Sequence, residues 1–454
     1  MKSLRKLFKI PKEAVWLLPG LEVKRWFLFL ITGTIIATIG LCIILDLKPI
    51  YNLLTLTMKV GASNVIPSSL IGVVFIFAGA YIFLKGWKHA NYSILNLNDD
   101  RDRHAVLEDL YRRRKLNHGP KIVAIGGGTG LSTLLKGIKK ITNNITAVVT
   151  VGDDGGSSGR LRNEMGILPP GDIRNCIAAL ADDEDLVTKL FQYRFKTGQD
   201  LGGHSFGNLF LTAMCEVTGN MYKAVIESSK VLSIRGRVLP STLDDMKLVA
   251  RMEDGSIIKG ESVIPESGKK IERLYTDPEN CKPLDEVLSA IKDAELIILG
   301  PGSLYTSVLP NLLIKEIADE IEKSNALKLY ICNVMTQPGE TDGFSVSDHI
   351  KTIFNHVNNK KIIDTVLVNN RLPEEVLEKY KAENSFPVEV DYDNIEKLGV
   401  NIFEYRLTDD AASGYVRHNP SRLMRAVYYW FRKTNKDKSN NNNNQKPSND
   451  EKQS

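Results

Sequence analysis

Lys121-Ile-Val-Ala-Ile-Gly-Gly-Gly-Thr-Gly130 runs straight into Leu131-Ser-Thr-Leu-Leu-Lys136. An apolar run breaks into glycines, and helical spacing then resumes. This pattern predicts a buried parallel strand, a tight turn, and a helix whose first N–H groups are open. Glycine lets the backbone approach a ligand with no Cβ in the way, and a helix N-terminus favours negative charge. Gly126, Gly127, Gly128, Thr129 and Gly130 therefore form a candidate phosphate loop. It is not the strict dinucleotide fingerprint, because Leu131 stands where a third glycine would fall, and it is not a P-loop, because no Gly-Lys-Ser/Thr follows.

Working outward, residues 145–151 are almost entirely β-branched, which predicts a second strand. It ends in Asp153-Asp-Gly-Gly-Ser157-Ser158-Gly-Arg160. Strand, glycine loop, helix, strand and acidic end make a βαβ unit, whose ligands bind at the carboxyl ends of strands. Asp153 and Asp154 suit either a ribose hydroxyl or hydrated Mg²⁺, and the competing reading is ordinary turn chemistry. In 168–175, Asp172 reads as a helix cap, with Arg174 and Asn175 in the first turn facing the strand ends. Gly202-Gly-His204-Ser-Phe-Gly-Asn208 repeats the theme, and His204 is a candidate base. Asp254-Gly255 between alternating runs predicts a hairpin inserted on the sheet. Residues 295–303 give another apolar strand into a second anion-type loop at Gly300, Gly302 and Ser303. Two such loops suit a diphosphate better than one. Further strands are expected at 328–334 and 362–368, and an amphipathic helix follows Pro420 as far as Arg432. The alternation calls for an α/β domain with a doubly wound, mostly parallel sheet.

The 454 residues, 43% of them hydrophobic, suffice for a large core and something more. Charge is uneven: the chain through Pro120 carries +9 and the remainder −4, so the basic balance says nothing of nucleic acid at the main domain. Five cysteines without CxxC spacing signal neither zinc nor a disulfide framework. Two uncharged or nearly uncharged runs, 26–45 and 66–84, are each long enough to cross a hydrocarbon core of roughly 30 Å. Basic residues flank the pair on both outer sides. The positive-inside rule then predicts a two-helix transmembrane hairpin, both termini cytoplasmic, and a domain tethered to the inner face of the membrane. The expected organisation is a basic N-terminus to residue 25, the hairpin over 26–88, a linker helix over 89–120, the main domain over 121–432, and a disordered Asn/Lys-rich tail from 433.

Six motifs in order, GGGTG, DDGGSSGRLR, PPGDIRN, GHSFGN, GPGSLYTSVLPN and NVMTQPGET, resemble the YvcK family of gluconeogenesis factors. That family is itself distantly similar to 2-phospho-L-lactate transferase, the CofD enzyme. The resemblance implies a Rossmann-like domain that binds a UDP-sugar such as UDP-N-acetylglucosamine. It also implies a regulatory role in cell shape, peptidoglycan precursor supply and growth on gluconeogenic carbon. Protein partners would be cell-wall-precursor or central-carbon regulators, with no obligatory cofactor, and a homo-oligomer is compatible with it. Carried onto this sequence, the glycine loop falls on Gly126 to Gly130, the acidic loop on Asp153 and Asp154, and the C-terminal motif suggests Arg417, with Tyr380 a second contact. The candidate ligand set is completed by Ser157, Ser158, Arg160, Arg174, Asn175, His204, Asn208, Gly300, Gly302 and Ser303. Asp153 and Asp154 are the candidate Mg²⁺ ligands. An Mg²⁺-dependent phosphoryl-type transferase, with Asp153, Asp154 and His204 as catalytic candidates, and an NAD-binding protein are the alternatives.

Overall fold

The computed structural model describes residues 114–182, 184–198, 200–372, 374–408 and 417–444, with isolated positions at Asn52, Thr55, Leu56, Tyr81 and Arg112. The chain divides into two compact units, Met1–Lys115 and Leu116–Ser454, and the second is described here. Its strands are β1 (Ile122–Gly126), β2 (Ile145–Val149), β3 (Arg237–Pro240), β4 (Lys247–Met252), β5 (Ile257–Lys259), β6 (Ile271–Asp277), β7 (Leu296–Leu299), β8 (Leu327–Ile331), β9 (Thr365–Asn369) and β10 (Asn401–Tyr405).

Seven of these form one sheet in the order β10-β9-β8-β7-β1-β2-β3, every neighbouring pair parallel. Each residue of β1, β2, β7 and β8 is buried, as a sheet covered by helices on both faces requires. This explains the unbroken apolar runs of β1 and β7, and in β2 and β8 only Thr146 and Lys328 interrupt them. Successive strands step outward from β1 through β2 to β3, and the chain then returns to the other side of β1 with β7. The strand order reverses between β1 and β7, so their carboxyl ends part over a crevice where doubly wound sheets take their ligands. Between β3 and β7 lies the second sheet, antiparallel in the order β5-β4-β6. Its β4–β5 turn is the expected Asp254-Gly255, where Gly255 has a φ of 81° and the Asp254 carboxylate accepts from the Ser256 N–H.

The covering helices are amphipathic. In Lys315–Lys323, Ile317, Ala318 and Ile321 are buried between charged neighbours. The long helix Pro420–Asn444 packs Leu423, Ala426, Val427, Trp430 and Phe431 into the core. It runs on to Asn444, beyond the Arg432 end expected from sequence, so the segment expected to be disordered from 433 is helical over its first part. A helix anchored by a buried face propagates at little cost per residue, even through polar sequence.

The expectation of a membrane-tethered domain is corrected. Among the described residues no helix is long and apolar enough to cross a membrane. The run at 26–45, and all of 66–84 except Tyr81, lie outside the described residues.

Candidate functional site

The two glycine loops meet at the crevice. Asn311, fully buried, donates from Nδ2 to the Gly126 carbonyl at 3.2 Å and to the Ser307 carbonyl at 2.8 Å, tying the end of β1 to the segment after β7. The helix Gly128–Ile138 starts without a cap from its own N-cap residue, Gly127, and the Asp172 carboxylate accepts from the Gly128 N–H. Gly128 has a φ of 62°, in the left-handed region, and a Cβ there would touch nothing closer than Ser307 Oγ at 3.7 Å. Backbone conformation, more than space, is what demands glycine at 128. Gly130 is the opposite case. A Cβ there would collide with the Pro301 carbonyl and come within 2.9 Å of Gly302 Cα, so the two loops are packed backbone against backbone.

Over this junction opens a cleft of about 700 Å³, within the range of small-molecule sites. Its walls include Gly127 to Gly130, Gly302, Ser303, Thr306, Ser307, the 333–338 segment, Tyr380, Arg417 and His418. A chain of amides links two of these walls: Asn333 Nδ2 donates to Gln337 Oε1 at 3.0 Å, and Gln337 Nε2 donates to Ser303 Oγ at 2.7 Å. The 333–338 wall is fixed in turn by the Thr336 N–H donating to the Phe386 carbonyl and the Ser385 hydroxyl donating to the Thr336 carbonyl at 2.5 Å.

Five carboxylates line the same cleft: Asp153, Asp172, Glu261, Glu340 and Glu383. Burial, then the charge of Asp153, pushes Asp172 up to about 7, against the pull of the Gly128 N–H and Arg174. Burial and the neighbouring Asp153, Asp172, Asp154 and Glu340 push Glu261 up to about 8, and burial pushes Glu340 up to about 7. Near neutral pH these groups are partly protonated, which limits repulsion of an anionic ligand and lets them donate hydrogen bonds. Among the described residues no group of three or more His, Cys, Asp or Glu is arranged to hold a metal on its own. Mg²⁺ commonly uses one or two carboxylates plus ligand phosphates, and Asp153 with Asp172 fits that mode.

These shifts predict a stability profile. Carboxyls whose folded pKa exceeds the unfolded value of about 4 stabilise fully below pH 4 and lose that contribution as pH rises through 7 to 8. His349, His356 and His418, held neutral by burial, act in the opposite sense only below about pH 6.5. In chelator-treated protein the melting temperature should therefore fall by roughly 2–5 °C between pH 6.5 and 8.5. Asp172→Asn should flatten the fall, and an equally steep profile in that variant would dismiss Asp172 as a source.

The residues expected from sequence separate into three places. Gly127, Gly128, Thr129, Gly130, Asp153, Gly302, Ser303, Tyr380 and Arg417 line the cleft. Ser157, Ser158, Arg174, Asn175 and Asn208 line a smaller pocket of about 230 Å³, which shares Asp153 and Asp172 with the cleft. Gly126, Asp154, Arg160, His204 and Gly300 line neither. Asp154 holds the inserted sheet: its two oxygens accept from the Glu261 N–H at 3.0 Å and the Ser262 N–H at 2.8 Å. Arg160 donates to the Gly202 carbonyl at 3.0 Å. His204 is buried with Nδ1 2.9 Å from Ser157 Oγ, its pKa lowered by burial and then by Arg160, so it does not face the cleft as a base.

Asp172 is the main correction in the other direction. It is not the cap of its helix, Gly171–Leu180, where Pro170 holds that position; its carboxylate lies against the Gly127–Gly128 turn. Glu261, Asn333, Gln337, Glu340 and His418 were also missed. Asn333, Gln337 and Glu340 stand in the NVMTQPGET motif, which was a usable signal. Glu261 follows β5 in the inserted sheet and carried none.

A family model for 2-phospho-L-lactate transferase CofD matches residues 122–408, which take in every strand from β1 to β10. The gluconeogenesis factor of Bacillus subtilis (strain 168) is 50% identical over 305 residues, 67% of this chain and 96% of that protein. The chain belongs to the CofD family, among the gluconeogenesis factors. A relative from Nostoc sp. is 49% identical over 419 residues, 92% of each chain, a length that takes in part of the segment before Leu116. The crystal structure of a UPF0052 family member from Bacillus halodurans covers 68% of this chain and 99% of its own, with 48% identity and a TM-score of 0.65. The glycine loops, the acidic residues and most of the sheet of this gluconeogenesis-factor family member lie within the matched span.

Proposed function

We propose that this chain is a nucleotide-sugar-binding regulator. Its cleft takes a UDP-sugar of the UDP-N-acetylglucosamine class and couples that ligand to cell shape, peptidoglycan precursor supply and growth on gluconeogenic carbon. One observation carries the reading: two glycine loops converge at the reversal point of the sheet, beneath a cleft of about 700 Å³ that also presents Arg417 and Tyr380. The N-terminus of Gly128–Ile138, where the Asp172 carboxylate holds the Gly128 N–H, suits a diphosphate that takes that carboxylate's place. Arg417 suits its flank, because a guanidinium offers a fork of donors and keeps its charge. Tyr380 offers a flat face and a hydroxyl for base or sugar. The names borne by the relatives support the metabolic setting.

A second reading, an Mg²⁺-dependent phosphoryl-type transferase, is favoured by the carboxylates Asp153, Asp172, Glu261 and Glu340 around the same loops and by the family model's own description. Mg²⁺ would neutralise phosphate charge there, with Asp153 and Asp172 as its protein ligands. An NAD reading is weakened by Leu131 in place of the third glycine and by Asp154, which is engaged with backbone N–H groups beyond β5.

Calorimetric titration of the chain with UDP-N-acetylglucosamine, NAD and GDP, each with and without Mg²⁺, separates the three. The regulator reading expects saturable binding of the UDP-sugar with no turnover. Saturation by NAD alone, or Mg²⁺-dependent product formation, would move the conclusion to another reading.

A further inference from the structure

Beside the main cleft, the helix Gly156–Met165 begins at Gly155 with no side-chain cap, and its first turn lines the pocket of about 230 Å³. An open helix end alone is common. Here a second feature faces the same space. Arg174, only 9% exposed, donates from Nη1 to Ser205 Oγ at 2.6 Å and from Nη2 to Asn175 Oδ1 at 2.8 Å, yet its buried Nε has no partner. Asn208, 2% exposed, donates from Nδ2 to Ser157 Oγ at 3.0 Å and leaves its buried Oδ1 without a partner. An unsatisfied charged donor and an unsatisfied acceptor in one small polar pocket are each costly unless something arrives to meet them.

We infer that this pocket is a second binding site, separate from the main cleft, for a phosphate monoester or inorganic phosphate. The helix end and Arg174 supply donors for phosphate oxygens. Arg194, exposed and braced by its own bond from Nη1 to the Gly203 carbonyl at 2.9 Å, lines the pocket as a second cation. Asn208 Oδ1 selects among anions. It needs a donor: inorganic phosphate near neutral pH still carries a proton that sulfate lacks, and a phosphate monoester meets it as the monoanion, below its second pKa of about 6. The volume excludes a nucleotide and suits phosphate bearing a few further atoms. Because Asp153 and Asp172 border both spaces, a phosphate here would lie across those carboxylates from a ligand in the cleft. The site would let a small phosphorylated metabolite act beside the main ligand.

The test is titration of the full chain with inorganic phosphate and with sulfate, on parent, Arg194→Ala and Arg194→Lys proteins, in the presence and absence of UDP-N-acetylglucosamine. Arg194 is exposed, so the variants should fold, and melting curves check this. Phosphate should bind the parent more tightly than sulfate, weaken about tenfold in Arg194→Ala, recover in part in Arg194→Lys, and persist at saturating UDP-sugar. No phosphate binding, an unchanged affinity in folded Arg194→Ala, or complete displacement of phosphate by the UDP-sugar would overturn the site. Failure of the UDP-sugar itself to bind would count against the reading of the main cleft while leaving the Arg194 comparison decisive for this one.

Discussion

Arg417→Ala is expected to weaken UDP-N-acetylglucosamine binding about ten- to a hundredfold, which corresponds to the loss of roughly 1.5–3 kcal/mol for a charge-assisted contact. Arg417 lines the cleft together with Tyr380, His418 and the glycine loops. Its neighbour, His418, is kept neutral by burial, with its pKa pushed down to about 4, so Arg417 supplies the positive charge at this corner. Arg417→Lys should restore only part of the affinity, because a point charge cannot reproduce two parallel donors. Melting curves should superimpose on the parent, since Arg417 is exposed. Unchanged affinity in a folded Arg417→Ala protein would remove it from the site.

Gly130→Ala is expected to act with the opposite sign to the usual rule. In a helix interior, alanine normally gains about 1 kcal/mol over glycine. At Gly130 the new methyl would meet the Pro301 carbonyl and Gly302 Cα, both backbone, so neither can rotate away. Overpacking of this kind costs about 1–3 kcal/mol, and relief requires the two loops to part. The variant should melt lower than the parent and should lose UDP-sugar binding by more than tenfold, because the diphosphate seat is built from both loops. A protein as stable as the parent, with parent-like affinity, would show that the loops do not form a joint seat.

The central strands were legible because burial on both faces leaves a bare signal: β1 and β7 are apolar from end to end and stop at glycine, and β2 is almost entirely β-branched. The edges were not. β3 and β10 carry exposed positions and no glycine stop, and β9 begins at Thr365 where the apolar run suggests residue 362. Ile362 and Ile363 are fully buried ahead of the strand, so hydrophobicity reported their depth and not their pairing. At the site, loop residues announced themselves through glycine and small polar runs, and those motifs located both pockets. What the motifs could not assign was direction. Asp153 and Asp154 are adjacent in sequence, yet one faces the cleft and the other secures the inserted sheet. Asp172 looked like a cap and instead reaches the glycine turn, and Glu261 arrives from β5, more than a hundred residues after Asp153. Contacts made between distant segments leave no local pattern to read.

The measurement that bears most directly on the central claim is a crystal structure of this chain with UDP-N-acetylglucosamine. The account predicts the diphosphate within hydrogen-bonding distance of the N–H groups at Gly128 to Gly130 and of the loop at Gly302 and Ser303, with Arg417 on its flank. A ligand bound elsewhere, or bound in the cleft with its phosphates turned away from both glycine loops, would contradict it.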